Sequence, residues 1–228
     1  KGENIFSPKV DIISSKIIES DQKIKIISKL QNWIDEKVTD VLKPVKDDLN
    51  KIDSSNIRSI IYNLFNFLGT MPIENYQNDV KSLNDENKVS ISKLGIRIGA
   101  KYFFIPNFLK KTSLELNALL WKVYNQPDMN ARYPLPKDGR VSFETETIMP
   151  DNYWSAIGYV CIDKFATRVD VFERVFFLAR QKIKNGPFLE SSDLMNPLGC
   201  NSNQLLSLMN FCGYDSITLA DDKKIFFL

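Results

Sequence analysis

The residues that could do chemistry in this chain are mainly cations gathered in its middle. Residues 91–140 contain nine Lys and Arg against three Asp and Glu, so their net charge is 9 − 3 = +6, whereas the whole chain of 228 residues carries only +2. A positive surplus confined to one segment is typical of a surface that attracts a polyanion. The sequence therefore predicts a polyanionic partner for this segment.

Aromatic residues lie among these cations, and the combination suits single-stranded nucleic acid. Cations hold the sugar-phosphate backbone, and exposed rings stack on bases without reading their sequence. The predicted nucleic-acid-binding residues are Lys93, Arg97, Lys101, Tyr102, Phe103, Lys110, Lys111, Arg132, Lys137 and Arg140. The same residue types also fit a buried edge strand with solvated Lys and Arg side chains, and the sequence leaves both interpretations open.

A second set of candidate nucleic-acid contacts lies near the C-terminal end. Amides at the start of a predicted helix could reach base edges, and two lysines in the following hairpin could bind phosphates. These residues are Asn203, Gln204, Lys223 and Lys224. Because residues 171–228 have no net charge (6 − 6 = 0), the sequence favours a packing or protein-docking role over DNA reading here.

Histidine is absent from the chain, which removes several kinds of catalytic site at once. His-assisted nucleophiles, His-ligated metals and imidazole acid–base catalysis are all excluded. The cysteines Cys161, Cys200 and Cys212 have the spacing of neither a disulfide framework nor a zinc ligand pair, which favours buried thiols in a reducing compartment. A GxxxxGK[ST] phosphate loop is also missing. We therefore expect no catalytic residues, no metal and no cofactor in this chain.

The spacing of apolar residues predicts an α+β fold that is mainly α-helical. Steps of three and four indicate a long amphipathic helix over residues 27–49, capped by Ser20 or Asp21 and kinked or ended near Pro44. A second helix is predicted over residues 54–69, and the two helices are expected to pack as a hairpin.

Shorter elements are predicted for the basic segment and its surroundings. Residues 73–94 indicate one or two short helices, and residues 112–124 indicate another helix. Between them, residues 96–105 read as a single strand, on which Arg97 and Lys101 would share a face.

The C-terminal part is predicted to be a small α+β unit. Strands are expected at residues 141–143 and 159–162, and Asp170 and Glu173 form a capping-box pattern ahead of a helix. Residues 191–228 then give short helices followed by a hairpin, which completes the element order of a winged helix.

Composition also suggests where the chain divides. Residues 126–140 are rich in proline and lack periodicity, which indicates a linker or surface loop. We expect a helical accessory domain over residues 1–125 and a unit over residues 141–228 that ends in the winged-helix-like module. Because no apolar run is long enough to span a bilayer and no signal peptide is visible, we expect a cytoplasmic chain without a membrane partner.

Several motifs in this chain occur in an order that resembles a known family. They are LGIRIGAKYFFIPNFLK, LNALLW, GRVSF, YWSAIGY, RVDVFERV and LMNPLGCNSNQLLSLMNFCGY. Together they resemble the C-terminal region of alphaproteobacterial superfamily 2 helicases related to the mitochondrial degradosome RNA helicase. The resemblance implies that two RecA-like domains, which use ATP and Mg²⁺, precede Lys1 in a longer parent. The family's ATPase motifs have no counterpart here, so none of its catalytic residues carries over.

Three functional hypotheses follow. The first is a noncatalytic accessory region of an ATP-dependent RNA or DNA helicase, which binds single-stranded nucleic acid beside the motor domains. The second is a protein-interaction module, for which the family resemblance implies an exoribonuclease as partner. The third is a winged-helix DNA-binding regulator, although that leaves the first 165 residues unexplained.

Overall fold

The computed structural model describes residues 2–13, 20–49, 54–125, 133–137 and 139–228. Its α-helices are α1 (Ser20–Leu49), α2 (Ser55–Asn66), α3 (Gln77–Lys81), α4 (Asp85–Lys93), α5 (Lys111–Asn125), α6 (Asp151–Ala156), α7 (Val169–Lys182), α8 (Ser192–Met195) and α9 (Ser202–Cys212). Short 3₁₀ helices lie at Glu74–Tyr76, Pro106–Leu109 and Ile183–Asn185. The predicted mainly α-helical α+β class is confirmed.

The strands form three small antiparallel sheets. They are β1 (Thr70–Pro72), β2 (Arg97–Ile98), β3 (Tyr102–Phe104), β4 (Ser142–Glu144), β5 (Tyr159–Ile162), β6 (Phe165–Arg168), β7 (Phe188–Leu189), β8 (Asp215–Thr218) and β9 (Lys224–Phe227). The strand orders are β1-β3-β2, β4-β6-β5 and β7-β9-β8. None of the described helices is long and apolar enough to cross a membrane.

The first helix begins at Ser20, where its cap is predicted, and ends at Leu49, the last position of its apolar pattern. It spans Pro44 and continues to Leu49, so the proline does not end it. Ile34 and Val38 are buried, as their spacing predicts, but Leu30 is exposed. Among the side chains that the structure describes, only part of the apolar stripe is therefore buried.

The second helix and the turn after it agree with the prediction. Ile57, Ile60, Ile61 and Leu64 form its buried face. The chain then reverses at Gly69, which has a left-handed φ of +91° and donates its N–H to the carbonyl oxygen of Leu64. This turn leads directly into β1.

The basic segment is a hairpin and not the single strand that the sequence predicts. Arg97 pairs with Phe104 and Ile98 pairs with Phe103, while residues 99–101 form the turn. Arg97 and Lys101 therefore do not alternate along one strand, and the shared face predicted for them is wrong. The reversal depends on Glu173, a distant residue that holds the turn, as described below.

The hydrophobic core joins the two halves that composition suggests are separate. One buried cluster contains Ile60 of α2 and Trp121 of α5 together with Tyr153 of α6. A second contains Phe104 of β3 together with Phe172 of α7. Both clusters draw residues from each side of residues 126–140, so this segment does not separate two cores.

Part of the predicted linker packs against this core. The hydroxyl of Tyr153 donates a hydrogen bond to the carbonyl oxygen of Pro134 at 2.7 Å, and the hydroxyl of Tyr159 donates to that of Arg140 at 2.5 Å. Residues 126–132 and 138 lie outside the described residues.

The C-terminal elements follow the order α7, β7, α8, α9, β8, β9. Helix α9 begins with a capping box between Asn201 and Gln204 and ends at Gly213, whose φ is +93°. The capping box predicted for Asp170 and Glu173 is wrong, because none of the side chains that the structure describes caps α7. Both carboxylates have other partners.

Candidate nucleic-acid interface

The structure divides the predicted basic block between two clefts. Arg97 lines one of them, whereas Lys137 and Arg140 line the other, and the two clefts share no lining residue among those that the structure describes. The division arises because Arg97 belongs to a hairpin that packs on α7, while Lys137 and Arg140 precede β4. The sequence predicts one continuous cationic surface, and the fold separates its members.

The first cleft lies between the β2–β3 hairpin and α7, and we call it the hairpin–helix cleft. Its volume is about 590 Å³. Three arginines line it: Arg97 from the hairpin and Arg174 and Arg180 from α7. All three are exposed, so their guanidinium groups are accessible to a ligand.

The three arginines of this cleft outnumber its two carboxylates, Asp170 and Glu173, so its lining keeps a net positive charge. Asp170 accepts two hydrogen bonds from Arg168, at 2.6 and 2.9 Å, so it is already paired. Within the described residues, neither Arg97, Arg174 nor Arg180 forms an ion pair. Guanidinium groups with this freedom are suited to bind phosphates through paired hydrogen bonds.

The second carboxylate of the cleft, Glu173, is buried and engaged. Its oxygens accept hydrogen bonds from the backbone N–H groups of Ala100, Lys101 and Tyr102, at 2.7, 2.8 and 2.7 Å. Burial raises the pKa of Glu173 above its usual value, and the three N–H groups and Arg180 oppose that rise. Glu173 thus fixes the hairpin turn and, through it, the wall of the cleft that carries Arg97.

The close packing of this turn explains a glycine in the hairpin. A Cβ atom on Gly99 would lie 2.3 Å from the carboxyl carbon of Glu173. Any larger residue would have to displace a carboxylate that three N–H groups hold in place. Gly99 is therefore required for the turn.

The second cleft lies beside β4, has a volume of about 570 Å³, and is called here the β4 cleft. Lys137, Arg140 and Glu144 are among its lining residues. A narrower cavity of about 60 Å³ shares Arg140 with the β4 cleft and brings Lys111 to it. Three of the predicted basic residues are thus placed near one another, but away from the hairpin–helix cleft.

The aromatic residues predicted to stack on bases are used for packing. Phe103 is fully buried, so its predicted role in stacking is wrong. Tyr102 makes an edge-to-face contact with Phe172, with 5.8 Å between ring centroids. Lys101 is half-buried, and its Nζ lies 5.5 Å from the centroid of Phe211, in a cation–π contact.

The remaining basic residues of the block are dispersed. Lys93 at the end of α4 and Lys110 just before α5 are exposed, and neither lines the two clefts. Arg132 lies outside the described residues. Lys93 and Lys110 therefore add positive charge to the surface outside both clefts.

Two of the C-terminal candidates are committed to other contacts. Gln204 completes the capping box with Asn201, and its amide nitrogen donates to Glu144 at 2.6 Å. Lys224 is buried and donates to the hydroxyl of Ser202 at 2.5 Å. The structure therefore contradicts phosphate binding by the buried Lys224, and it places the amide of Gln204, predicted to reach base edges, in contacts with Asn201 and Glu144.

The other two C-terminal candidates are exposed. Lys223 forms an ion pair with Asp221 at 2.9 Å, and the same contact raises the pKa of Lys223. Asn203 is exposed in the first turn of α9. A carboxylate next to the only exposed lysine of the β8–β9 hairpin weakens its attraction for a polyanion.

Sequence reasoning missed Arg174, Arg180 and Phe177, which line the hairpin–helix cleft from α7. They follow one another at steps of three, on a face distinct from the buried positions of the helix. Their spacing was available in the sequence. Nothing in it, however, indicates that the hairpin of residues 97–104 lies across that face.

The three cysteines behave as packed thiols. Burial raises the pKa of Cys161 and Cys200 to about 11 and that of Cys212 to about 12. A thiol in this state is mostly protonated at pH 8, and only the thiolate reacts. A nucleophilic role is therefore disfavoured.

We expect the native protein to react with a thiol reagent at pH 8 about 100-fold more slowly than the same chain in urea, because the thiolate fraction falls tenfold for each unit by which the pKa rises. The rate is measured from the absorbance of the coloured group that the reagent releases when it reacts with a thiol. A small-molecule thiol in both solvents is the control. One cysteine reacting in the native protein as fast as in urea would contradict the assignment.

The fold and the clefts thus define a mainly α-helical α+β protein with two cationic clefts. In its described part, no group of three or more Cys, Asp or Glu side chains could hold a metal ion. Comparison with known protein families, curated proteins and solved structures gave no match to this chain.

Proposed function

We propose that this chain is a noncatalytic region that binds single-stranded nucleic acid through the hairpin–helix cleft. The observation that carries the proposal is the set of three exposed arginines, Arg97, Arg174 and Arg180, without ion-pair partners in the described residues. Charge of this kind attracts a phosphate backbone and releases its counterions. The β4 cleft, with Lys137 and Arg140, would supply further backbone contacts.

The motifs quoted above support a place for this region in a larger enzyme. In that context it would be an accessory region of an ATP-dependent helicase in the cytoplasm, and ATP and Mg²⁺ would belong to the motor domains of the parent. The region would hold the strand beside the motor. RNA and DNA both provide the phosphates and bases that such a cleft requires.

The test is a double charge reversal, Arg174→Glu with Arg180→Glu. We expect it to weaken binding of a labelled single-stranded oligonucleotide by about tenfold or more at low salt. Because about 0.7 counterions are released per phosphate contact on a single strand, the slope of log affinity against log salt should fall in magnitude by about 1.4. Fluorescence anisotropy across a salt series measures both.

The matched control is Lys25→Glu with Lys29→Glu, which makes the same change in net charge on the exposed surface of α1, outside both clefts. It should change affinity much less, since exposed charges far from the ligand are screened. Equal losses in the two double variants would mean that only net charge matters. Unchanged affinity in the arginine variant would refute the site.

A second function, docking of a protein such as an exoribonuclease, is favoured by one observation. Apolar side chains are exposed on the C-terminal elements, including Leu189 on β7, Phe211 on α9 and Ile217 on β8. The helix–strand–helix–helix–hairpin order with strands β7-β9-β8 supports a winged-helix-like unit, and such units also dock proteins. Because Gln204 and Lys224 are engaged, DNA reading by this unit is the weaker proposal.

A further inference from the structure

One wall of the hairpin–helix cleft carries an exposed aromatic ring. Phe177 has 57% of its surface exposed, the largest value among the 15 phenylalanines of the chain. It belongs to neither buried hydrophobic cluster. A single exposed ring is common on a protein surface, but this one lines the same cleft as three exposed arginines, where a ligand with a flat group would cover it.

The ring lies between two of the arginines. Arg174, Phe177 and Arg180 follow at steps of three on α7, so successive side chains are about 4.5 Å apart along the helix axis. All three line the same cleft, and Arg97 faces them from the hairpin. A flat apolar surface is thus flanked by cations along the helix and across the cleft.

The carboxylates of this cleft are occupied elsewhere. Glu173 accepts hydrogen bonds from three backbone N–H groups, and Asp170 is held by Arg168. Neither forms an ion pair with Arg174 or Arg180. A ligand that carries negative charge on both sides of a flat group therefore matches the cleft better than an apolar peptide does.

We propose that Phe177 stacks on an unpaired base of a single strand whose flanking phosphates contact Arg174, Arg180 and Arg97. This inference rests on the proposed function and adds to it how the cleft selects its ligand. Every base has a π face, so the contact holds a strand without reading its sequence. The bases inside a duplex are already stacked on one another, so the cleft prefers single strands.

The experiment compares Phe177→Ala and Phe177→Trp with the unchanged protein. The probes are a labelled single-stranded oligonucleotide, a strand of the same length without bases, and a duplex. We expect Phe177→Ala to lose about 5- to 150-fold in affinity for the single strand, because that is the typical cost of removing one stacking ring. Phe177→Trp, which keeps a stacking surface, should retain the affinity.

The strand without bases is the decisive probe. It presents the same phosphates but no bases. The unchanged protein should therefore bind it as weakly as Phe177→Ala binds the normal strand. Phe177→Ala and the unchanged protein should bind the base-free strand equally well. The salt slope should be the same for the unchanged protein and Phe177→Ala, because the ring makes no ionic contact. Thermal unfolding of both variants checks that the fold is retained.

The outcomes separate the two proposals. If Phe177→Ala binds the normal strand as tightly as the unchanged protein while Arg174→Glu with Arg180→Glu weakens binding, the stacking inference is overturned and the proposed function stands. If neither variant weakens binding, both are overturned. Binding of an acidic protein segment in preference to any nucleic acid would overturn both as well.

Discussion

Replacing Glu173 with leucine is expected to lower the free energy of unfolding by about 3 kcal/mol, because three backbone N–H groups lose their acceptor. The carboxylate is buried, and the donors belong to Ala100, Lys101 and Tyr102 in the hairpin turn. For a chain of this length, the midpoint of thermal unfolding should fall by about 6–12 °C. Urea denaturation followed by circular dichroism measures the free energy.

Two further variants, each with a smaller expected loss in the free energy of unfolding, serve as comparisons for Glu173→Leu. Glu173→Gln keeps one acceptor oxygen but turns an NH₂ group toward a backbone donor, so its loss should be smaller, about 1–2 kcal/mol. Asp170→Asn on the same helix breaks only the half-exposed pair with Arg168, and should lose less than about 1 kcal/mol. If Glu173→Leu is no less stable than Asp170→Asn, Glu173 does not hold the turn.

Loss of this carboxylate should also affect binding. Arg97 is positioned by the hairpin, whereas Arg174 and Arg180 are positioned by α7. Loosening the turn would therefore move one cation of the hairpin–helix cleft relative to the other two. The stability of the turn and the geometry of the candidate site depend on the same three hydrogen bonds.

Gly69→Ala is expected to lower the free energy of unfolding by about 3 kcal/mol or more. The glycine has a left-handed φ of +91°, and a Cβ atom there would lie 2.3 Å from Cδ2 of Phe108. Phe108 is buried and contacts Phe65 in the core, so its ring cannot move without disturbing neighbours. Strain in the backbone adds about 1–2 kcal/mol to the cost of this overlap.

Gly213→Ala is the matched control for this prediction. Gly213 has nearly the same φ, +93°, but no atom lies within 4 Å of a Cβ added to it. It should lose only the backbone contribution, about 1–2 kcal/mol. The difference between the two variants, measured by urea denaturation, isolates the overlap with Phe108. Equal losses would show that Phe108 adjusts without cost.

The helices of this protein were largely predictable from its sequence. The pattern of Ile57, Ile60, Ile61 and Leu64 specifies one face of α2, because only a helix brings those positions together. The long helix was also predicted, and of the two outcomes left open at Pro44, a kink or an end, the structure contradicts only the end, since a proline removes one hydrogen bond without necessarily ending a helix. Local spacing determines such elements and needs no knowledge of the rest of the chain.

The hairpin was not predictable in the same way. Residues 96–105 have the composition of one strand, and the reversal at Gly99 depends on Glu173, which lies far away in the sequence. In the same way, the pattern of Asp170 and Glu173 suggests a helix cap, yet both carboxylates serve other partners. A local pattern cannot indicate which distant donor a side chain will meet.

By itself, the sequence determined that the chain lacks the side chains for histidine-based chemistry, that it is mainly helical, and that its positive charge is concentrated in residues 91–140. Only the tertiary structure decided which cations share a cleft. In the fold, Phe103 and Lys224 are buried, and Lys137 and Arg140 lie in a different cleft from Arg97. Arg97 shares its cleft with Arg174 and Arg180. The physical reason is that charge and helical periodicity belong to residue types and local spacing, whereas a binding surface depends on which elements the buried core brings together.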